Sequence, residues 1–266
     1  AGPQRRVAPT RRRHARGTGR SARTGAMGAT ARSPMTRVWL LDLDNTLHDA
    51  TAVVFPRINL AMTEYVAREL SIGHDEANAL RMTYWHRYGA TLLGMIRHHG
   101  IDAHRFLRET HAFPDLQRIV RRDHRLAHAL RRLPGRRIVV TNAPLHYASR
   151  VVRALGIRAH IESIVSIEAM SFAGRLQPKP SRPMLRRLVA RLRVPAARCV
   201  LVEDSLANLV GARHVGLQTV LVSGISHRSH HPSRRTRAGP ARRVDVQVQS
   251  VAHLPRKVLR SATTPR

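Results

Sequence analysis

Apolar and polar residues along the chain fall into blocks, and the period within each block predicts what it forms. Val38-Trp39-Leu40-Leu41 is apolar on both faces and runs into Asp42, the pattern of a strand buried in a parallel sheet. Arg137-Ile138-Val139-Val140-Thr141 and Cys199-Val200-Leu201-Val202 repeat it, the first closing on Thr141 and the second running into Glu203-Asp204. Shorter strands are predicted at 163–166, 219–222 and 245–248. Between them the period becomes helical at 145–155, where Gly156 is placed to cap the end. Further helices are predicted at 206–215 and from Ser181 and Pro183 to about Leu192, with Pro in the first turn.

Residues 50–132 read almost wholly as helix, in segments 52–70, 75–98, 104–110 and 115–133, with breaks at Gly73, Gly100 and Pro114. Alternating strands and helices imply an α/β fold: a Rossmann-like parallel sheet core with right-handed crossovers. The helical block interrupts that alternation directly after the first strand. It is therefore expected as an inserted helical cap, 49–133, on a core made of 36–48 and 134–260.

Composition narrows the class. A chain of 266 residues is long enough to bury a sizeable core. Its one cysteine, Cys199, excludes an internal disulfide framework and a multi-cysteine zinc site. No run reaches the roughly 18 apolar residues that a membrane span needs, and no apolar segment comes after the N-terminal arginines as in a secretory leader. A soluble protein of a reducing compartment, the cytoplasm, is expected.

The net charge is +31, from 47 Lys+Arg against 16 Asp+Glu. Residues 1–37 hold ten arginines and no carboxylate, and residues 228–266 hold ten basic residues with Asp245 alone opposing them. Such ends could meet nucleic-acid phosphates. No aromatic RNA-binding motif, zinc finger or clear helix-turn-helix accompanies them, so nucleic acid ranks behind a solvated basic surface. The bias toward arginine over lysine resembles that of GC-rich coding. Residues 1–35 lack periodic apolar positions that could offset the entropy of ordering, and they read as a disordered basic tail.

Ligands of open α/β sheets bind beyond the carboxyl ends of the strands. That edge gathers Asp42, Asp44, Thr141, Glu203 and Asp204. Asp42 and Asp44 are two apart on an extended chain and point to one side. Carboxylates so close resist joint ionisation unless a cation neutralises them, and hard oxygen donors without His or Cys select Mg²⁺. Lys179 is one of two lysines in the chain, beside Lys257, and stands in the rigid loop Gln177-Pro178-Lys179-Pro180. Where nearly every other cation is arginine, it suggests a need for a compact ammonium. Thr141-Asn142 offers a hydroxyl and an amide, although such pairs also cap helices. His98-His99 and His230-His231 lack spaced partners and read as exposed residues.

These residues occur in the order of the four motifs of the haloacid dehalogenase superfamily, which the chain resembles from about Thr36 to Val222. Within it, the sequence is similar to the pyrimidine 5'-nucleotidase subgroup. The likeness rests on Asp42-Leu43-Asp44-Asn45-Thr46-Leu47-His48-Asp49, Tyr84-Trp85-His86-Arg87-Tyr88-Gly89-Ala90-Thr91 and Thr141-Asn142-Ala143-Pro144. Gln177-Pro178-Lys179-Pro180 and Val202-Glu203-Asp204-Ser205-Leu206-Ala207-Asn208 complete it.

The resemblance implies a Mg²⁺-dependent phosphomonoesterase that acts on a small-molecule phosphomonoester, with pyrimidine nucleoside 5'-monophosphates first in line. It implies that Asp42 is the nucleophile and Asp44 the acid and base. Asp42, Asp44 (through its carbonyl), Asp204 and Glu203 would hold the metal, and Thr141, Asn142 and Lys179 the phosphoryl oxygens. Asn208 departs from the Asp that many members carry there. A sugar phosphatase or phosphomutase of the same superfamily is the alternative. A haloalkanoic dehalogenase would have no need of Asp44 or of Glu203-Asp204, and a basic nucleic-acid-binding protein would hydrolyse nothing.

Overall fold

The computed structural model describes residues 37–224 and 244–255. The basic tail 1–35, the Arg-rich stretch 228–243 and His230-His231 lie outside them. Six strands form a parallel sheet: β1 (Val38–Leu41), β2 (Arg136–Val140), β3 (Ser163–Val165), and, beyond a small hairpin of β4 (Ser171–Phe172) with β5 (Arg175–Leu176), β6 (Cys199–Glu203), β7 (Gln218–Val222) and β8 (Val246–Val248). Their spatial order is β3-β2-β1-β6-β7-β8, which puts β1 in the middle.

Alternation along each strand splits the apolar residues between the two faces of the sheet. Trp39, Leu41, Val139, Val200 and Val202 face one way; there they meet α5 (Leu116–Ile119), α6 (His124–Arg132) and α7 (Leu145–Ala154). Val38, Leu40, Ile138, Val140, Cys199 and Leu201 face the other, against α8 (Arg182–Leu192) and α9 (Leu206–Arg213). Both faces are covered, as a parallel sheet requires.

The remaining helices, α1 (Val54–Leu70), α2 (His74–Tyr88), α3 (Thr91–His99) and α4 (Ala103–Thr110), share a cluster of their own around Tyr65, Val66, Met95 and Phe106. Tyr65 and Phe106 meet edge to face, 4.9 Å between ring centres. Within the expected cap segment 49–133, packing changes after Leu107. Phe113, Leu116, Val120, Leu126, Leu130 and Leu133 join the cluster of Trp39 on the sheet, and the Trp39 indole N–H donates to Pro134 O at 2.8 Å.

Three local features differ from the sequence expectation. The helix expected at 75–98 is two helices, because Gly89 closes α2 with φ 80° and Ala90 is extended. The one expected at 115–133 breaks as well, because Asp123 caps α6 by accepting from Arg125 N and Leu126 N. The β4–β5 hairpin was not anticipated: its turn places Ala173 as well as Gly174 at positive φ, and alanine is a weak signal for that geometry.

Candidate active site

Register builds the site. Leu41 lies opposite Val139 on one side and Val202 on the other, so the residues just beyond these positions come together at one edge. They are Asp42 after β1, Thr141 after β2 and Glu203-Asp204 at the end of β6. Asp42 is tied to its neighbour strand by its own N–H, which donates to Val202 O at 2.9 Å.

Lys179 comes from the other side, on the loop before α8. Its buried ammonium donates to Asp42 Oδ1 at 2.5 Å and to Glu203 Oε2 at 2.7 Å. Asn142 clamps the backbone of that same residue: its Oδ1 accepts from Lys179 N at 2.9 Å and its Nδ2 donates to Lys179 O at 3.1 Å. Both halves of the Asn142 amide thus position the lysine. The loop also leans closely on α9, where a Cβ on Gly211 would stand 2.8 Å from Pro180 O. The Thr141 hydroxyl accepts from Ala143 N at 3.0 Å, which leaves its own proton available to a ligand.

Charge is crowded here. Burial pushes the Asp42 carboxyl up to about 8, and Glu203 adds to the shift while Lys179 opposes it. Burial likewise raises Glu203 and Asp204, and the two acids sit side by side. Burial alone would lower Lys179, but Asp42 and Glu203 hold it above the ordinary lysine range. Asp42, Glu203 and Asp204 each offer an oxygen within 4.8 Å of the others, a set that could hold a metal ion.

Asp44 sits on the turn after Asp42. Asn45 takes a left-handed conformation there, φ 62°, and its side chain accepts from Ala50 N and Thr51 N to close the loop. Asp44 Oδ1 accepts two hydrogen bonds, from Tyr147 OH at 2.7 Å and from His48 Nε2 at 2.9 Å. Burial would raise the Asp44 carboxyl, but the His48 contacts and then the Tyr147 hydroxyl bring it below the ordinary value. Behind Tyr147 lies buried His111, which desolvation drives down to about 4; its ring meets Tyr147 edge-on at 5.7 Å.

Sequence reasoning did not find Tyr147, His48 or His111. His48 stands four residues from Asp44 and could have been noticed. Tyr147 is more than 100 residues away and carries no motif. His98 and His99, read as exposed, are so, although Tyr88 and Tyr84 hydroxyls pair with them. Asn208 is half-buried in the first turn of α9. A cavity of about 750 Å³ opens between α3, α4 and the β4–β5 hairpin, but none of the strand-end carboxylates lines it.

Set beside known proteins, residues 36–216 match the family model described as haloacid dehalogenase-like hydrolase, well over half of the chain. The chain belongs to that family. Phosphate metabolism protein 8 of Saccharomyces cerevisiae is 27% identical over 135 residues; the match covers 47% of this chain, which spans only 41% of that protein.

Among solved structures, this hydrolase resembles a conserved haloacid dehalogenase-like protein of unknown function from Agrobacterium tumefaciens (20% identity, TM-score 0.51, 85% of this chain and 99% of the other). It also resembles a HAD phosphatase from Thermococcus onnurineus (18%, TM-score 0.51, 84% and 97%). A third likeness is to the L-2-haloacid dehalogenase of Xanthobacter autotrophicus (16%, TM-score 0.50, 84% and 98%). Two chemistries therefore occur on this fold, and the choice between them rests on the site.

Proposed function

We propose that this hydrolase is a Mg²⁺-dependent phosphomonoesterase working through an aspartyl-phosphate on Asp42. The observation that carries the reading is the excess of buried acid: Lys179 bridges Asp42 and Glu203, and Asp204 stands beside them. One ammonium stands among three buried carboxyl groups, and burial first, then the neighbouring acids, raises all three. Oxygen donors without nitrogen or sulfur suit a hard divalent cation. Asp42, Glu203 and Asp204 would hold it, joined by the Asp44 carbonyl; when bound, Mg²⁺ neutralises the cluster and polarises the phosphoryl oxygens.

The chain's own groups divide the rest of the work. Asp42, oriented by Lys179, attacks phosphorus as the bond to the leaving oxygen breaks. Asp44, which takes up a proton as the phosphoryl dianion arrives beside it, gives that proton to the leaving oxygen and later takes one from the water that releases phosphate. Lys179 and the Thr141 hydroxyl face the charge that spreads over the phosphoryl oxygens, and Asn142 acts through the Lys179 backbone. A dehalogenase would need Asp42 but not Asp44 or the Glu203-Asp204 pair.

For the substrate, the likeness to pyrimidine 5'-nucleotidases favours a pyrimidine nucleoside 5'-monophosphate, whose nucleoside would meet the helices α1–α4. The test is phosphate release from purified protein offered uridine and cytidine 5'-monophosphates and a panel of sugar phosphates. Release with Mg²⁺, abolished by chelator and fastest on the two nucleotides, is expected. Full activity in chelator contradicts the metal, faster turnover of a sugar phosphate contradicts the substrate, and no release from any compound contradicts the phosphatase reading.

A further inference from the structure

Among the described residues, Asp44 is held at one oxygen only. Tyr147 OH and His48 Nε2 both converge on Oδ1, at 2.7 and 2.9 Å, and Oδ2 takes part in none of the hydrogen bonds among the described residues. Both partners are buried: Tyr147 is 1% exposed and His48 9%. They also come from different parts of the fold. His48 belongs to the same turn as Asp44, whereas Tyr147 lies on α7, the helix that begins just past Thr141 and Asn142. The tyrosine ring has little freedom, wedged against His111 and Phe113 with ring centres 5.7 Å away in both cases.

We propose that Tyr147 and His48 are positioning residues for proton transfer: they anchor Asp44 by Oδ1 and leave Oδ2 as the oxygen that carries the proton to the leaving group. The inference rests on the phosphatase reading and deepens it. In the step, an Asp42 oxygen bonds to phosphorus as the P–O bond to the leaving group breaks, the electron pair stays on the leaving oxygen, and the Oδ2 proton moves to it. The product is an alcohol, and Asp44 becomes a carboxylate. As negative charge develops on Asp44, the two hydrogen bonds to Oδ1 become charge-assisted and strengthen, so they stabilise the transition state more than the ground state. With the tyrosine donor coming from α7, the proton donor is also registered against Thr141 and the phosphoryl group. In the second half-reaction the same free oxygen takes the proton from water.

A leaving group that departs as a stable anion needs little help from an acid, whereas a basic one needs much. The series phenyl, p-nitrophenyl and 2,4-dinitrophenyl phosphate varies that need while the phosphoryl group stays the same. The measurement is kcat/KM for the three esters with Mg²⁺, which reports the steps up to phosphoryl transfer. The proteins compared are wild type, Tyr147→Phe, His48→Ala and His48→Gln. Tyr147→Phe removes one oxygen and keeps the ring, and His48→Gln keeps an N–H donor.

The expected result is a loss of at least about tenfold on phenyl phosphate for Tyr147→Phe and His48→Ala. That loss should shrink steadily toward the dinitrophenyl ester, with His48→Gln closer to wild type than His48→Ala. An equal loss on all three esters, or none, in both Tyr147→Phe and His48→Ala would overturn the positioning role while leaving the phosphatase reading intact. Wild-type protein that cleaves none of the three would overturn both.

Discussion

Two buried cations are satisfied in opposite ways. Arg81 lies between α1 and α2 and donates only to neutral oxygens, those of Asn59, Asn78 and Thr63, and it forms no ion pair among the described residues. Lys179 at the strand ends donates to two carboxylates, with a third beside them. Each of the three guanidinium nitrogens of Arg81 has a neutral acceptor, and burial without a carboxylate partner lowers its pKa from the ordinary arginine value. The lysine cluster holds three acids against one base, and burial, reinforced by the neighbouring acids, shifts those acids upward. Hydrogen bonding alone settles a structural cation. A buried cluster with more acid than base could hold a cation, and that is the difference between this site and the arginine scaffold.

Substitution can break this contrast from either side. At the lysine, Lys179→Arg keeps the charge but replaces a compact, buried ammonium with a broad planar fork that places its charge elsewhere. Normal folding by thermal melt with a loss of at least about tenfold in kcat/KM is expected, since a well-aimed electrostatic contact typically contributes ~10²–10³. Wild-type kinetics would place Lys179 outside the machinery. At the arginine the effect should be smaller and of another kind. Arg81→Leu deprives the Thr63 hydroxyl of a donor while Asn59 and Asn78, being exposed, turn to water. A cost of about 1 kcal/mol is expected, seen as a fall of roughly 2–4 °C in melting temperature with kcat/KM essentially retained. A large loss of activity in Arg81→Leu would erase the distinction between the two cations.

The same contrast describes what could be read in the chain. Strand-end residues are legible because a buried parallel strand is a continuous apolar run, and the residue after its last apolar position must lie at the sheet's edge. Asp42, Thr141 and Glu203-Asp204 were found that way, and Lys179 stood out as a lysine among arginines. Gly89 and Asp123, which divide two of the helices, were visible as residue types but hidden inside long helical patterns. Tyr147 and Asn142 act by geometry that no spacing encodes: an ordinary helix tyrosine reaches Asp44 across the fold, and an asparagine grips a backbone 37 residues away. Arg81 was equally silent, since nothing in its neighbours marks it as buried.

The central claim is that Asp42 takes the phosphoryl group. Its most direct test is to mix wild-type protein with Mg²⁺ and a substrate found in the metabolite screen, quench in acid within one turnover, and map the phosphoryl group by peptide mass spectrometry. The account predicts a phosphoryl group on Asp42, absent from Asp42→Asn, a variant that should fold as wild type yet release no phosphate because an amide cannot serve as the nucleophile. Steady phosphate release by Asp42→Asn, or turnover by wild type with Asp42 never modified, would contradict it.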